Sequence, residues 1–375
     1  MAYILKVLSP VHIHSGEVLK AMTYMVKDDK VLIFNEIDVI KSVKESELLN
    51  DELLRSFATT VSKRKEYYKT LDYYINKGII EEAVAEKYKD IVENHVNDLS
   101  GQEIYRTMIN ILGPYIPGST LKGLVRTAII YDCLLKKGID YLKGAVRYLN
   151  SRNGRGFSVD DYILYEILDN GKMKKNIYQD PFKFMGIKDI NMVEKRLGVY
   201  KETIFNITKF QPGNVIEAIE AGDYSEEFDF EIRVNEKLAN SYNTDIIKYF
   251  KEEELLRVLH QYSKDIIQEE IEYFKKYKHP SLNTKEIVES LELMQDKNSI
   301  ETPVIRIGKG KGYKSNTVGL AIKKMDKDYY LKEIKNIANP YKYDNNYEFP
   351  KTRKFVSSQL SPKLLGFAIL EKVEG

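Results

Sequence analysis

The chain has 375 residues, of which 43% are hydrophobic and 30% charged, with 58 basic against 56 acidic side chains and a net charge of +2. This length accommodates two domains with cores of their own, and the composition disfavours wholesale disorder. Near-neutrality excludes a global polycation, so any nucleic-acid surface must be local; the lone Cys133 excludes an internal disulfide framework and a cysteine-based zinc cluster and suits a reducing compartment.

MAYILKVLSP opens the chain with Lys6 inside its apolar stretch and without a small-residue cleavage site, so no signal peptide is expected. No run of eighteen apolar residues occurs, which argues against a membrane span and leaves a cytoplasmic location as the expectation. YILKVL alternates as a strand, with Tyr3, Leu5 and Val7 on one face. MTYMVKDDKVLIF reads as a hairpin turning at Asp28, Asp29 and Lys30. Residues 36 to 110 are rich in Glu, Lys, Leu and Tyr and predict a mostly helical insertion on a sheet domain.

In YIPGSTLKGLVRTAIIYDCLLKKG, Pro117 and Gly118 predict a tight turn and Ser119 or Thr120 a helix cap. Leu121, Leu124, Val125, Ala128, Ile129 and Leu135 follow as an apolar stripe, and Gly138 ends the helix. FDFEIRV alternates as a half-buried strand. Residues 245 to 278 predict a long charged helix or helix pair whose buried stripe is Leu255, Leu256, Leu259, Ile266, Ile267 and Phe274. PVIRIG and LLGFAIL read as late strands, with a short helix at about 326 to 338 between them. The economical class is α+β, in two domains divided near residue 190.

Three segments carry candidate chemistry. RIGKGKGYKSNTVGL, residues 306 to 320, packs glycines among Arg306, Lys309, Lys311 and Lys314. From Gly308 it reads GKGKGYKS, so Tyr313 stands where a phosphate-binding loop needs its second glycine; the dinucleotide pattern also fails. The loop suits RNA better, through close backbone approach, lysine charge and a Tyr313 stacking face, although a lysine-rich surface hairpin fits its composition as well. No acidic residue lies between Glu301 and Asp326 or between Glu103 and Asp132, and such windows suit anion-facing surfaces.

IPGSTLKG is the second segment: a helix N-terminus at Gly118, Ser119 and Thr120 offers amides to a phosphate, and Lys122 and Arg126 share a helical face at i, i+4 spacing. Third is SPVHIHSGE, in which His12 and His14 project to one face of a strand. They could act as acid and base on RNA without metal, or serve in packing and stacking. Without a matching carboxylate they make a poor metal site, and neither metal nor cofactor is expected.

In this order the motifs resemble the RAMP superfamily of CRISPR proteins. SPVHIHSGE is similar to its strand-one signature of a His followed by Ser-Gly, and IPGSTLKGLVR to its PGS-x-LKG-x-x-R motif. RIGKGKGY with TVG, then FPKTRKF and LLGFAIL, resembles the branch formed by the fifth Csm-type subunit of type III-A effector complexes. The resemblance implies two tandem ferredoxin-like, RRM-related domains: 1–190 with the insertion at about 36–110, and 191–375 with the glycine-rich loop 306–320.

It further implies a non-catalytic structural subunit of a CRISPR ribonucleoprotein in antiviral defence. The subunit binds crRNA, caps the repeated backbone at the crRNA 3′ end and supports 3′-end maturation. Its implied partners are crRNA, the backbone and small subunits of the Csm-type complex and host 3′-trimming nucleases. On these motifs the expected RNA contacts are His14, Ser15, Gly118, Ser119, Thr120, Lys122, Arg126, Arg306, Lys309, Lys311, Tyr313 and Lys314, extended by Lys351 and Arg353 of PKTRK. The cleaving relatives carry an aspartate in a GAxD-like segment; here EVLKAMTYMVKDDKVLIF lacks it, and Asp28 and Asp29 read as turn formers. His14 also stands where many relatives have Gly. The alternative is a metal-independent RAMP endoribonuclease that cuts CRISPR repeat RNA through His12 or His14.

Overall fold

A computed structural model describes residues 1–58, 69–99, 101–165, 170–173, 180–207, 209–232, 244–337, 349–358 and 361–373. The first seven strands are β1 (Ala2–Val7), β2 (His14–Leu19), β3 (Tyr24–Lys27), β4 (Lys30–Phe34), β5 (Tyr88–Asn94), β6 (Ile104–Thr107) and β7 (Tyr115–Ile116). Around the middle of the chain come β8 (Met185–Ile187), β9 (Ile190–Asn191), β10 (Leu197–Asn206), β11 (Lys209–Ile219) and β12 (Phe228–Ile232). The last four are β13 (Val304–Arg306), β14 (Thr352–Ser358), β15 (Ser361–Leu364) and β16 (Phe367–Lys372).

One sheet has the order β13-β16-β1-β12-β8; a second runs β2-β6-β11-β10-β5-β4-β3, with β14 and β15 attached through β10; β7 and β9 form a small ladder. β1 buries Tyr3, Leu5 and Val7, as the alternation requires, and pairs antiparallel with both β12 and β16. The first and last strands are therefore neighbours. Both large sheets mix strands from before and after residue 190, so that position is not a seam between sheets. The mixed α+β class is as expected.

The β3–β4 hairpin turns on Asp28 and Asp29, both at positive φ (50° and 58°), the backbone that a two-residue hairpin turn needs and that Asp tolerates. Residues 36 to 110 are less helical than their composition predicts. Helices Glu36–Lys41, Asp51–Ala58 and Leu71–Asn76 pack over Met22, Leu32 and Phe34, whereas β5 and β6 within the same range are strands of the second sheet.

The helix Gly118–Leu149 breaks at Gly138 (φ 79°, ψ 176°) and resumes beyond it. Its stripe from Leu121 to Ile129 is buried, while Leu135 is half-buried. Neither Ser119 nor Thr120 caps it: Pro117 holds the cap position and no side chain bonds there. The helix Glu252–Lys276 buries all six residues of its predicted stripe and packs on Gly118–Leu149. Burying six such side chains contributes on the order of 10 kcal/mol before chain entropy is counted. Tyr131 Oη donates to Asp265 (2.8 Å), and Arg257 pairs with Asp132 (3.2 Å) across the helix pair.

Candidate nucleic-acid interface

The glycine-rich loop leaves β13 and is held on two sides. Ile307 N donates to Gly366 O (2.8 Å), and Lys309 N donates to His12 O (2.8 Å). Gly308 has φ +67°, and a Cβ there would stand 2.4 Å from His12 O, so only glycine permits this approach. The loop and SPVHIHSGE, at opposite ends of the sequence, are thereby joined backbone to backbone.

Most of the loop's expected contacts turn inward. Arg306 and Arg353 are 2% and 5% exposed and share the buried Glu270 carboxylate, Arg306 Nη1 at 3.1 Å from one oxygen and Arg353 Nε on the other. Arg353 also lies over the Tyr273 ring (3.8 Å), and Arg306 over Phe367 (4.8 Å). Burial pushes the Glu270 carboxyl up, but the two guanidiniums outweigh it and hold it below the usual carboxylate range. Lys314, 5% exposed, is bonded to Glu269, which also takes Lys323 at 2.8 Å. Lys309 meets Glu202 at 3.0 Å and lies near the Tyr105 ring. The expectation that Arg306, Lys314 and Arg353 stand free on an RNA-facing surface is corrected: acids from the Glu252–Lys276 helix neutralise them.

Lys311 and Lys354 have no such partner among the described residues. Both line a recess of about 230 Å³, with Gly310, Gly312, Tyr313 and Pro350 in its walls. Burial and then the Arg306 charge pull the Lys311 ammonium below the usual lysine range. Tyr313 is half-buried, edge-on to Phe349 at 5.1 Å. Lys351 is half-buried, and its carbonyl accepts from Tyr273 Oη (2.6 Å).

At the strand-one signature the two imidazoles do share a face, stacked with centroids 5.9 Å apart. They differ in access. His12 is 1% exposed, with Nδ1 donating to Glu217 O (2.6 Å), and burial lowers its pKa to about 4. His14 is exposed beside Tyr105 (5.4 Å). A substrate reaches His14 alone, so the acid–base pair required by the nuclease alternative is not assembled. Ser15 Oγ donates to Arg106 O (3.2 Å) and accepts from Glu17 N (3.1 Å), which commits it to the strand. Beneath lies Arg106 on the fully buried Glu217 (3.2 Å), whose carboxyl burial pushes up.

The helix start packs elsewhere, on β8. A Cβ on Gly118 would stand 2.0 Å from Ile187 O, and Gly118 N donates to Asp189 Oδ1 (2.8 Å). A carboxylate of the chain thus takes the amide expected to hold a phosphate. Arg126 pairs with Asp180 (2.8 Å) and lies over Phe182 (5.0 Å). Ser119 is exposed, Thr120 half-exposed, and Lys122, half-exposed, is unpartnered among the described residues.

Sequence reasoning missed Lys354, Tyr105 and the acids Glu202, Glu269 and Glu270. One of these left a signal: Glu270 stands four residues after Ile266 and four before Phe274, on the helix's own apolar stripe, where a carboxylate needs a buried cation. Among the described residues no group of three or more His, Cys, Asp and Glu is placed to hold a metal, and no helix is long and apolar enough to cross a membrane.

The RAMP superfamily profile matches residues 4–313. A protein of Methanocaldococcus jannaschii, "CRISPR system Cms protein Csm5", is 24% identical over 98% of this chain and 88% of its own. A chain in the cryo-EM structure of a Csm–crRNA–target RNA ternary complex of a type III-A CRISPR–Cas system superposes with a TM-score of 0.74 at 20% identity, covering 99% of this chain and 100% of that one. The crystal structure of T. onnurineus Csm5 gives a TM-score of 0.65, also at 20% identity, covering 97% and 99%. These likenesses share the fold over nearly the whole chain.

Proposed function

This chain belongs to the RAMP superfamily, and from that premise we propose that it is a crRNA-binding structural subunit of a type III-A Csm-type effector complex. Support comes from the near-complete alignment with a Csm5 protein and from the fold shared with a chain of a Csm–crRNA–target RNA complex. The observation that carries the RNA-binding reading is the recess under the glycine-rich loop, where Lys311 and Lys354 stand without carboxylate partners among the described residues, beside Tyr313. In a chain that pairs so many of its lysines internally, such cations are the natural phosphate contacts. His14, Ser119, Thr120, Lys122 and Lys351 complete the proposed RNA-facing set.

In this reading the subunit caps the backbone at the crRNA 3′ end and supports 3′-end maturation by host nucleases while catalysing no step itself. The inaccessibility of His12 supports the last point. Three lysines unpartnered among the described residues, Lys122, Lys311 and Lys354, give an expected log–log salt slope of about −2 for single-stranded RNA, at roughly −0.7 per phosphate contact. RNA affinity measured across a salt series by fluorescence anisotropy tests this, and a salt-independent affinity would overturn it. RNA cleavage by the purified chain in EDTA, abolished by His14→Ala, would support the nuclease reading instead.

A further inference from the structure

The recess beneath the glycine-rich loop has a shape and charge that a passing strand does not require. At about 230 Å³ it is smaller than the sites that enclose drug-sized ligands, and it is walled by the loop on one side and by Pro350, Thr352 and Lys354 on the other. Glu270 and Arg353 line it, and Glu270 also pairs with the buried Arg306, two positive charges against one negative. Lys311 and Lys354 add two cations that meet no carboxylate among the described residues.

The backbone adds donors. Gly308, Gly310 and Gly312 all have positive φ (67°, 94° and 72°), alternating with lysines, the left-handed backbone from which anion-binding nests are built. Among the described residues the N–H groups of Gly310, Gly312 and Tyr313 find no protein acceptor. Backbone amides and lysines around a small recess, beside a buried cluster with excess positive charge, form a site for a compact anion of high charge.

We infer that this recess binds a terminal phosphomonoester, the phosphorylated end of an RNA strand. A phosphomonoester carries nearly two negative charges at neutral pH, and its three free oxygens reach Lys311, Lys354 and the loop amides together. An internal phosphodiester carries one charge and offers two free oxygens in place of three, so it matches the cations of the recess less well. Tyr313 in the wall offers an aromatic surface to the last base. The inference rests on the RNA-binding reading above and specifies which part of the strand this site holds.

Its test uses the full chain and uridine oligoribonucleotides of about ten nucleotides, a length typical of single-strand sites, with the fluorophore at the end opposite the one varied. One oligonucleotide ends in hydroxyls at both termini, one carries a 3′-phosphate and one a 5′-phosphate. The expected result is about tenfold tighter binding to one phosphorylated form, the size of one or two added charge-assisted hydrogen bonds. Lys311→Met or Lys354→Met should weaken binding to every strand but most to the phosphorylated one, so that its advantage falls below about threefold. Equal affinity for all three oligonucleotides would overturn the inference and leave general RNA binding standing. No binding to any of them would overturn the RNA-binding reading itself. Competition by free adenosine monophosphate at the affinity of the phosphorylated strand would assign the recess to a mononucleotide and overturn the strand-end assignment.

Discussion

Replacing Glu270 by glutamine removes one charge and almost no volume, yet it leaves Arg306 and Arg353 buried without a counter-charge. Both oxygens of Glu270 are engaged, and all three side chains are at most 6% exposed. Breaking a buried ion pair by removing one partner costs roughly 3 to 5 kcal/mol. Against a total stability of about 5 to 15 kcal/mol this is a large fraction, and in a chain of this length it lowers the thermal midpoint by about 5 °C. Urea unfolding followed by circular dichroism measures the effect, with Glu253→Gln, exposed on the same helix, expected within about 0.5 kcal/mol of the parent chain. An E270Q chain that unfolds within about 0.5 kcal/mol of the parent would show that the two arginines are solvated, and the reassignment of Arg306 and Arg353 from RNA contacts to core would be wrong.

His12 supplies a pH signature. Its pKa falls from the ordinary 6.5 to about 4 in the fold, so the unfolded chain takes the proton first. The stability it contributes is full above about pH 6.5 and drains away as the pH falls towards 4, by about 2 kcal/mol between pH 7 and 5. His12→Asn should flatten that part of the stability–pH curve, and parallel curves for parent and variant would refute the buried neutral imidazole. Gly308→Ala should destabilise by about 2 kcal/mol or more, since its Cβ meets His12 O, whereas Gly312→Ala, with open space around its Cβ, should cost only the roughly 1 kcal/mol of a left-handed backbone. Denaturation that ranks the two glycines the other way would contradict the loop's placement. Asp28→Ala with Asp29→Ala should cost about 1 to 2 kcal/mol through the turn and leave target RNA cutting by the assembled complex intact; lost cutting would make them catalytic.

Strand alternation and helical stripes were legible because they answer to local geometry: β1, β12, the hairpin at Asp28–Asp29 and the stripe from Leu255 to Phe274 all stand where the pattern puts them. The sheet order was not legible, since the neighbours of β1 are β12 and β16, far away in the chain, and nothing in YILKVL specifies them. The candidate site was misread for a related reason. The window from Glu301 to Asp326 lacks acids in sequence, but Glu202, Glu269, Glu270 and Asp265 reach Lys309, Lys314, Arg306 and Lys324 in space. The same holds for Arg106 on Glu217 and Arg126 on Asp180. Charge runs along the chain therefore overstate exposed charge, and cations of these segments that stay unpartnered among the described residues, such as Lys122, Lys311 and Lys354, are the better guide.

The central claim is that this chain holds crRNA within a Csm-type complex and determines its 3′ end. Purifying the complex through a tagged backbone subunit, with and without this chain, and sizing the bound crRNA tests it most directly. The expected result is crRNA with longer or heterogeneous 3′ ends when the chain is missing, and the same shift when Lys122, Lys311 and Lys354 are replaced together by alanine in a chain that still assembles. Unchanged assembly and unchanged 3′ ends without the chain would contradict the claim.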